Sequence, residues 1–479
     1  MTLSTLRLSD QIKVSVAPLL LPAVMVLTLI FLVWRWQAAA IASHLLLALY
    51  ILVEWPRLPR LPRTMLYVAG GMLITLPWFS TYPLQTLFHA LERASWFATF
   101  LAALSYMREA AATSPLIHRC GDDIINYSPS KRYATLSSGA FLIGVLLSIA
   151  ALNLLGTMAQ RANTLPAAAN NKVVHQLRTR RMFNALIRGF ATVPLGSPLT
   201  ITFAMILSLV PSVDWRILVP LGVATTVLLI IFGWAWDYRE VPRHQSFAIP
   251  TPTQRSGGIQ TMLQLLALVF AVFCAAVIVE MLVDITLPIA ILLTSPVAAL
   301  IWMTVQRRRH GWVLATGLAA KSLQRGSAEQ FGSIRTEVCV LSAAGLMGTL
   351  IAHTIPSAFF AETLATLGLH GLPVAIIVLL LMILLPQCGL NPVLVATVIL
   401  SSMSRPEAFG LSPTILALAT MCGWALAIGS SPVTTSILIA SRIAGVSPKT
   451  AGWRWNGRFT LFATILLSGW LWGLSYIFG

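Results

Sequence analysis

Long apolar runs separated by short polar loops make up most of this sequence. A helix that spans a membrane needs about 20 apolar residues. Runs near this length lie at residues 14–34, 38–54, 64–80, 83–105, 189–210, 216–237, 260–283, 286–305, 337–354, 412–445 and 459–478. The pattern therefore predicts an all-α polytopic membrane protein with about 11 transmembrane helices.

Two further apolar regions do not fit a single crossing. The run 134–158 has basic loops on both sides, so a full crossing would leave one of them outside. We expect this run to enter from the cytoplasm, turn near Asn163–Pro166 and return through 167–188. The run 373–403 is interrupted by Pro386–Pro392, and its arms of roughly 13 residues are too short to span. Both regions predict re-entrant hairpins, with opposite orientations in the membrane.

A helix-breaking motif occurs twice, in Gly189–Thr202 and again in Gly423–Ser436. The two stretches align without a gap at an offset of 234 residues (Ser431 against Ser197), and each places a Ser-Pro pair inside an apolar run. Identical pairs are Gly189/Gly423, Ala191/Ala425, Ser197/Ser431, Pro198/Pro432 and Thr200/Thr434. Paired breaks in two halves of a chain are typical of transporter binding sites, so we expect two inverted repeats with broken helices. A proline kink in a structural helix is the simpler alternative.

Charge gives these elements an orientation. The chain has 479 residues, of which 57% are hydrophobic and 10% charged, and its net charge is +17. Lys and Arg lie mostly in short loops, which predicts a cytoplasmic N-terminus, an external C-terminus and contact with membrane lipids, with no nucleic-acid partner. The apolar run after Lys13 is too long for a cleavable signal peptide. We expect a multi-pass protein of a bacterial-type inner (plasma) membrane.

The order of hairpins, breaks and basic loops predicts five regions. Residues 1–132 are N-terminal scaffold helices, and 133–237 form a first transport repeat with a hairpin and a broken helix. The stretch 238–259, rich in Pro, Thr and Gly, is a cytoplasmic linker. Residues 260–336 hold second scaffold helices and a cytoplasmic amphipathic segment, and 337–479 form the second transport repeat.

Polar residues at the hairpin tips and breaks are the candidates for a binding site. Half-helix N-termini suit an anion, whereas carbonyl and hydroxyl oxygens suit a hard cation such as Na⁺. For any single Ser or Thr, a hydrogen bond within its own helix is the alternative. Glu92 is a proton-relay candidate, with a structural ion pair as the alternative. The substrate-binding candidates are Asn163, Thr164, Ser197, Thr200, Asn391, Ser431, Thr434 and Thr435, and the ion-coupling candidates are Gly196, Thr202, Ser430, Ser436 and Glu92.

No enzyme signature emerges from the sequence. It contains no Walker loop, and His118–Asp123 is one short acidic loop without partner ligands for a metal. Its five cysteines show no metal or disulfide spacing. We expect a protein that is not an enzyme, with no covalently bound cofactor and no metal beyond Na⁺. The alternatives to solute uptake are an exporter or proton antiporter and, in a different class, a membrane-embedded enzyme or lipid-handling protein.

Short motifs at the predicted tips and breaks resemble those of a known family. Ala162-Asn163-Thr164 and Leu390-Asn391-Pro392 are similar to its hairpin tips, and Gly196–Thr200 and Ser430–Thr434 to its helix breaks. The family is the ion transporter superfamily, most nearly its divalent anion/sodium symporter branch (dicarboxylate, citrate, sulfate). The resemblance implies a homodimeric secondary transporter that moves a small anionic solute by elevator motion, driven by a Na⁺ or H⁺ gradient.

Overall fold

Helices account for all regular secondary structure in the described part of the chain. The computed structural model describes residues 3–125, 129–240, 258–354, 362–364 and 366–478. No strand occurs among these residues, so the predicted all-α polytopic class is confirmed. Most of the predicted linker 238–259 falls on 241–257, outside the described residues.

The helices follow one another with few intervening residues. In the first half they are Leu3–Trp34, Gln37–Glu54, Arg60–Phe79, Pro83–Ala112, Pro115–Ile125, Pro129–Leu147, Ala150–Ala162, Lys172–Ala191, Val193–Gly196, Ile201–Leu209 and Trp215–Glu240. In the second half they are Gly258–Val283, Leu287–Gln306, Trp312–Ser333, Arg335–Thr354, Leu372–Gln387, Pro392–Ser402, Pro413–Ser430, Thr435–Ala444 and Trp455–Phe478. A π-helical turn, Thr450–Arg454, precedes the last helix.

In the part of the chain that the structure describes, eight helical segments are long and apolar enough to cross a membrane. Three predicted crossings are helical but are not among the eight: 14–34, in Leu3–Trp34, 64–80, in Arg60–Phe79, and 83–105, in Pro83–Ala112. The eight segments differ in how far the rest of the protein buries them. The most apolar window of Ile259–Val283 is only 11% buried by protein, whereas that of Pro413–Ala444 is 94% buried. The first therefore suits contact with lipid, and the second, which carries a helix break, lies in a protein core.

By packing, the described helices form two compact units. The first unit comprises Met1–Ser114, Val272–Phe359 and Thr397–Ser402. At its centre Pro83–Ala112 packs against Leu287–Gln306 and Arg335–Thr354. The segment 337–354, which the sequence groups with the second repeat, lies in this unit. The five regions stay a prediction.

The second unit comprises Pro115–Ala271, Phe360–Ala396 and Met403–Gly479, and it holds both helix breaks. Its first hairpin forms because Pro129–Leu147 and Ala150–Ala162 both pack against the returning helix Lys172–Ala191. The outgoing arm is two helices instead of the single run expected at 134–158. Ser148, with a φ of 51°, lies in the left-handed region and interrupts the helical hydrogen-bond ladder there.

The returning arm of the first hairpin runs on towards the first break. Thr192 has a φ of −82° and a ψ of −5°, close to helical values, so Lys172–Ala191 continues into Val193–Gly196. The amide of Gly196 donates to the carbonyl of Thr192 at 3.1 Å. Instead of separate segments at 167–188 and 189–210, one nearly continuous helical run therefore extends to Gly196.

The second hairpin region contains the two short helices that the sequence predicts. Leu372–Gln387 and Pro392–Ser402 are separated by a turn at 388–391, where Gly389 adopts a φ of 97° that favours glycine. Leu372–Gln387 packs along Pro413–Ser430, the helix that precedes the second break. In this unit, an arm of each hairpin region therefore packs against or leads into a broken helix.

Candidate functional site

The first break, residues 197–200, is stabilised by its own hydroxyl groups. Ser197 has extended backbone, with a φ of −131° and a ψ of 126°, and Pro198 lacks an amide donor. Ser197 Oγ accepts from the amide of Leu199 at 3.2 Å. Thr200 caps the helix Ile201–Leu209: its Oγ1 donates to the Ser197 carbonyl at 3.0 Å and accepts from the Phe203 amide at 3.4 Å. The break is therefore a built turn with satisfied polar groups.

The second break, residues 431–434, repeats this pattern and adds a contact to the second hairpin. Thr434 Oγ1 donates to the Ser431 carbonyl at 2.7 Å, the counterpart of the Thr200 bond. Ser431 Oγ donates to the Pro386 carbonyl at 2.8 Å. Ser436 Oγ donates to the Ile428 carbonyl at 2.7 Å. The hydroxyl groups at this break hold the unwound backbone and fix it to the end of Leu372–Gln387.

Gln387 extends this connection to a third element. Its Nε2 donates to Ser430 Oγ at 3.0 Å, and its Oε1 accepts from Trp453 Nε1 at 2.9 Å. Trp453 belongs to the π-helical turn that precedes the last helix. A Cβ on Gly452, in the same turn, would clash with the carbonyl of Ser430. The second break is thus enclosed by the hairpin on one side and by this turn on the other.

The aligned glycines Gly189 and Gly423 occupy equivalent places in the two repeats. A Cβ added to Gly189 would overlap the backbone of Ser137, on the outgoing arm of the first hairpin. A Cβ added to Gly423 would lie 2.7 Å from the carbonyl oxygen of Leu379, on the first arm of the second hairpin. In both repeats the helix before the break therefore approaches its own hairpin so closely that no side chain fits between them.

Asn163 lies at the tip of the first hairpin and is buried. Its Nδ2 donates to the His175 carbonyl at 3.1 Å and to Thr179 Oγ1 at 2.9 Å, which ties the tip to the returning helix. Its Oδ1 is buried and has no hydrogen-bond partner among the described residues. Thr164 is exposed, and its Oγ1 accepts from the Ala167 amide at 3.3 Å. Asn163 is therefore the candidate at this tip that also organises structure.

The remaining candidates lie at separate places. Asn391 Oδ1 accepts from the Val393 amide at 2.8 Å and starts Pro392–Ser402, while Thr435 is exposed. Gly196 faces Thr226 and the ring of Phe141, and Thr202 is buried. Glu92 belongs to the first unit, where its Oε2 lies 3.5 Å from His89 Nδ1. All other candidates belong to the second unit.

A cleft of about 400 Å³ lies beside the two helices that lead into the breaks. Its floor is where these helices meet: a Cβ on Gly429 would lie 3.3 Å from the Cβ of Ala191. Leu229, Ile230, Ala425, Leu426 and Phe459 supply its apolar lining, and Tyr133, Ser137, Arg188, Thr192 and Thr460 its polar lining. None of the substrate-binding or ion-coupling candidates lines it, whereas Gly189, Ala191 and Ala425 of the aligned pairs do.

Arg188, at the end of the predicted return arm 167–188, is buried in the wall of this cleft with 6% of its surface exposed. Its Nε donates to Asn456 Oδ1 at 2.9 Å, and its Nη2 to the Trp455 carbonyl at 3.4 Å. Its Cζ lies 4.1 Å from the centre of the Phe459 ring. Among the described residues no carboxylate forms an ion pair with it.

A second, more polar cavity of about 330 Å³ shares Tyr133 with this cleft. Arg132, Arg178, Arg181 and Asp237 line it. Arg181 Nη2 and Asp237 Oδ2 form an ion pair at 2.7 Å. The cavity therefore carries an excess of positive charge, which attracts anions.

The described residues contain no group of three or more His, Cys, Asp or Glu side chains that could hold a metal ion. Oxygen atoms at the breaks are the chemistry that this chain offers to a cation. They come from hydroxyl and carbonyl groups, which are suited to Na⁺ and poorly suited to a transition metal.

Comparison with known proteins gives a structural likeness without a sequence family. No family model and no curated protein matches the chain. The crystal structure of the YdaH transporter of Alcanivorax borkumensis, described as having an unusual topology, matches with a TM-score of 0.51 and 14% identity, over 86% of this chain and 98% of that one. MtrF of Neisseria gonorrhoeae, described among antimetabolite efflux pumps, matches with a TM-score of 0.48 and 14% identity, over 86% and 94%. The likeness to YdaH shows a shared fold.

Proposed function

We propose that this protein is a secondary active transporter that moves a small anionic solute across a bacterial-type inner membrane. The observation that carries the proposal is the pair of broken helices, each packed through an aligned glycine, Gly189 or Gly423, against its own hairpin. Breaks repeated in two halves suit a binding site that two repeats share. A fold shared with a transporter agrees with this function, and it does not favour an enzyme or a lipid-handling protein.

A gradient of Na⁺ or H⁺ is the proposed driving force. At the second break the Ile428 carbonyl accepts from Ser436 Oγ at 2.7 Å and from Thr434 Oγ1 at 3.5 Å, so several oxygens converge there. Oxygens of this kind are suitable ligands for Na⁺ once the hydroxyl hydrogens turn away. Glu92, paired with His89, is the candidate for proton coupling.

The resemblance to the divalent anion/sodium symporter branch supports a homodimer with elevator-type motion. The oxygens at the breaks would bind the ion, and the half-helix N-termini that begin at Ile201 and Thr435 would attract the anion. Cross-linking in native membranes, followed by mass analysis, tests the dimer directly. A monomer under these conditions would contradict this part of the proposal.

The test of transport is uptake into proteoliposomes across a panel of organic and inorganic anions. Na⁺ and H⁺ gradients are imposed separately, in both directions, so that coupling ion and direction of transport are read from the same experiment. We expect one gradient to drive accumulation of at least one anion. Absence of gradient-driven flux for every solute and both ions would reject secondary transport, and flux only outward would favour the exporter.

Thr200→Ala and Thr434→Ala test the site within that assay. Each removes the hydroxyl that bonds to a serine carbonyl across a break, at 3.0 Å for Thr200 and at 2.7 Å for Thr434. We expect either change to reduce the transport rate, because the turn loses a stabilising hydrogen bond and the ion loses a ligand. Thr157→Ala, which removes an exposed hydroxyl from the first hairpin, is the matched control. Rates equal to wild type in both break variants would contradict the site.

A further inference from the structure

Arg188 carries a charge that the described protein does not neutralise. It is 94% buried, as its exposed fraction of 6% implies, and its partners are an amide oxygen, a carbonyl oxygen and an aromatic face. Neutral acceptors and a ring reduce the cost of burying a guanidinium but leave its full charge in place. Ionisable groups retained at such positions in membrane helices commonly mark a ligand site.

The hydrogen-bond partners of the guanidinium are all uncharged. Its Nε donates to Asn456 and its Nη2 to Trp455. Tyr133 lies beside Arg188, which acts on the tyrosine hydroxyl both through its charge and through a side-chain hydrogen bond. The two side chains come from different helices of the first repeat, Pro129–Leu147 and Lys172–Ala191, and both line the cleft.

We infer that Arg188 and Tyr133 bind the anionic head of an amphipathic solute that carries a single negative charge. This inference rests on the proposed transport function and names the part of the site that determines substrate class. One unpaired cation matches one negative charge, and a planar guanidinium is well suited to a carboxylate or sulfonate. Leu229, Ile230 and Leu426 line the same cleft and would pack against an apolar body.

The position of the cleft suits a transported solute. It lies where the helices leading into the two breaks meet, at Ala191 and Gly429. The neighbouring arginine-lined cavity shares Tyr133 and would raise the local concentration of anions beside it.

Binding of hexanesulfonate to the purified full chain tests the inference without any need for transport. Hexanesulfonate is permanently charged and has an apolar tail, and hexanamide is its neutral counterpart. By calorimetry in detergent we expect the wild type to bind hexanesulfonate and not hexanamide. Arg188→Met should weaken this binding by about tenfold or more, because a charge-assisted hydrogen bond is lost, and Arg188→Lys should weaken it less. Arg180→Met, on the same helix but paired with Glu240 at 3.2 Å, should bind as wild type.

Asn456→Asp gives a second variant that keeps Arg188. It places a carboxylate at the position of Asn456 Oδ1, 2.9 Å from Arg188 Nε, so the protein supplies its own anion. We expect hexanesulfonate affinity to fall although thermal unfolding confirms a folded chain. Equal binding of hexanesulfonate by wild type, Arg188→Met and Asn456→Asp would overturn the inference, as would no binding to wild type. Binding that depends on Arg188, without gradient-driven flux, would reject the transport function and leave this site standing.

Discussion

Gly189 and Gly423 are aligned in the two repeated motifs, and each lies at a close contact between helices. A Cβ at Gly189 would overlap the Ser137 backbone, and one at Gly423 would lie 2.7 Å from the Leu379 carbonyl. Backbone atoms in packed helices cannot yield as the end of a flexible side chain can. Both glycines are therefore required by close helix packing.

Substitution of these glycines should lower stability in a parallel way. We expect Gly189→Ala and Gly423→Ala each to reduce the free energy of unfolding by about 1–3 kcal/mol, the usual cost of overpacking. Gly473→Ala is the matched control, since no atom lies within 4 Å of its added Cβ and alanine favours a helix. Thermal unfolding in detergent measures all three. If the first two variants unfold no earlier than the control, the helices do not approach as described.

At the scale of residues, the sequence predicted the breaks better than their surroundings. Thr200 and Thr434 form the same hydrogen bond, to Ser197 and Ser431 respectively, and their alignment pointed to it. Arg188 was not among the candidates, and its nearest charged neighbours in sequence, Arg180 and Arg181, gave no sign of its role. Its main partner, Asn456, lies 268 residues away. Charge is visible in a sequence, but burial and distant partners depend on tertiary packing.

At the scale of elements, hydrophobic length predicted helices well and their interruptions less well. The expected broken helix 412–445 appears as Pro413–Ser430 and Thr435–Ala444, because Pro432 marks its interruption. No proline marks the interruption at Ser148, and a left-handed φ at a serine cannot be expected from composition. Thr192 is followed by Val-Pro, yet the proline sits in the first turn of Val193–Gly196, where helices tolerate it.

The tip of the second hairpin contains a cysteine whose reaction with a maleimide can be predicted. Cys388, in the turn after Leu372–Gln387, is exposed, whereas Cys120, Cys339 and Cys422 are buried. Cys120, in the helix Pro115–Ile125, also has its pKa raised to about 11 by burial, so little reactive thiolate is present at pH 8. In the proposed topology this hairpin enters from outside. We therefore expect a membrane-impermeant maleimide, added to intact cells, to label Cys388.

The label should be located by mass spectrometry and compared with Cys388→Ser. Cys274, on a helix that mostly faces away from protein, serves as an internal reference for reagents that enter lipid. Labelling of wild type only after the membrane is opened would place this tip on the cytoplasmic side. That result would reverse the predicted orientation of the hairpin while leaving its helices unchanged.

At the scale of the whole molecule, the chain combines a fold that is shared with a transporter and a sequence that matches no family model. The fold is shared although only 14% of the residues are identical. The physical reason is that a membrane constrains the length of helices and requires every backbone N–H and C=O group to form a hydrogen bond. It constrains the identity of side chains far less. Substrate and coupling chemistry therefore have to be tested on this chain's own residues, Arg188 and the two breaks among them.

Orientation is the prediction that depends on the whole chain. Arg307–Arg309 and the group of Lys449, Arg454 and Arg458 are expected in the cytoplasm, since positive loops are retained there. Trp455–Phe478 would then carry the C-terminus outside. Alkaline phosphatase fused after Gly479 should be active and green fluorescent protein dark, with the opposite result for fusions after Arg309. A fluorescent C-terminal fusion would mean an even number of crossings. In that case the two repeats could not be inverted as proposed, because the parity that orients the second repeat would fail.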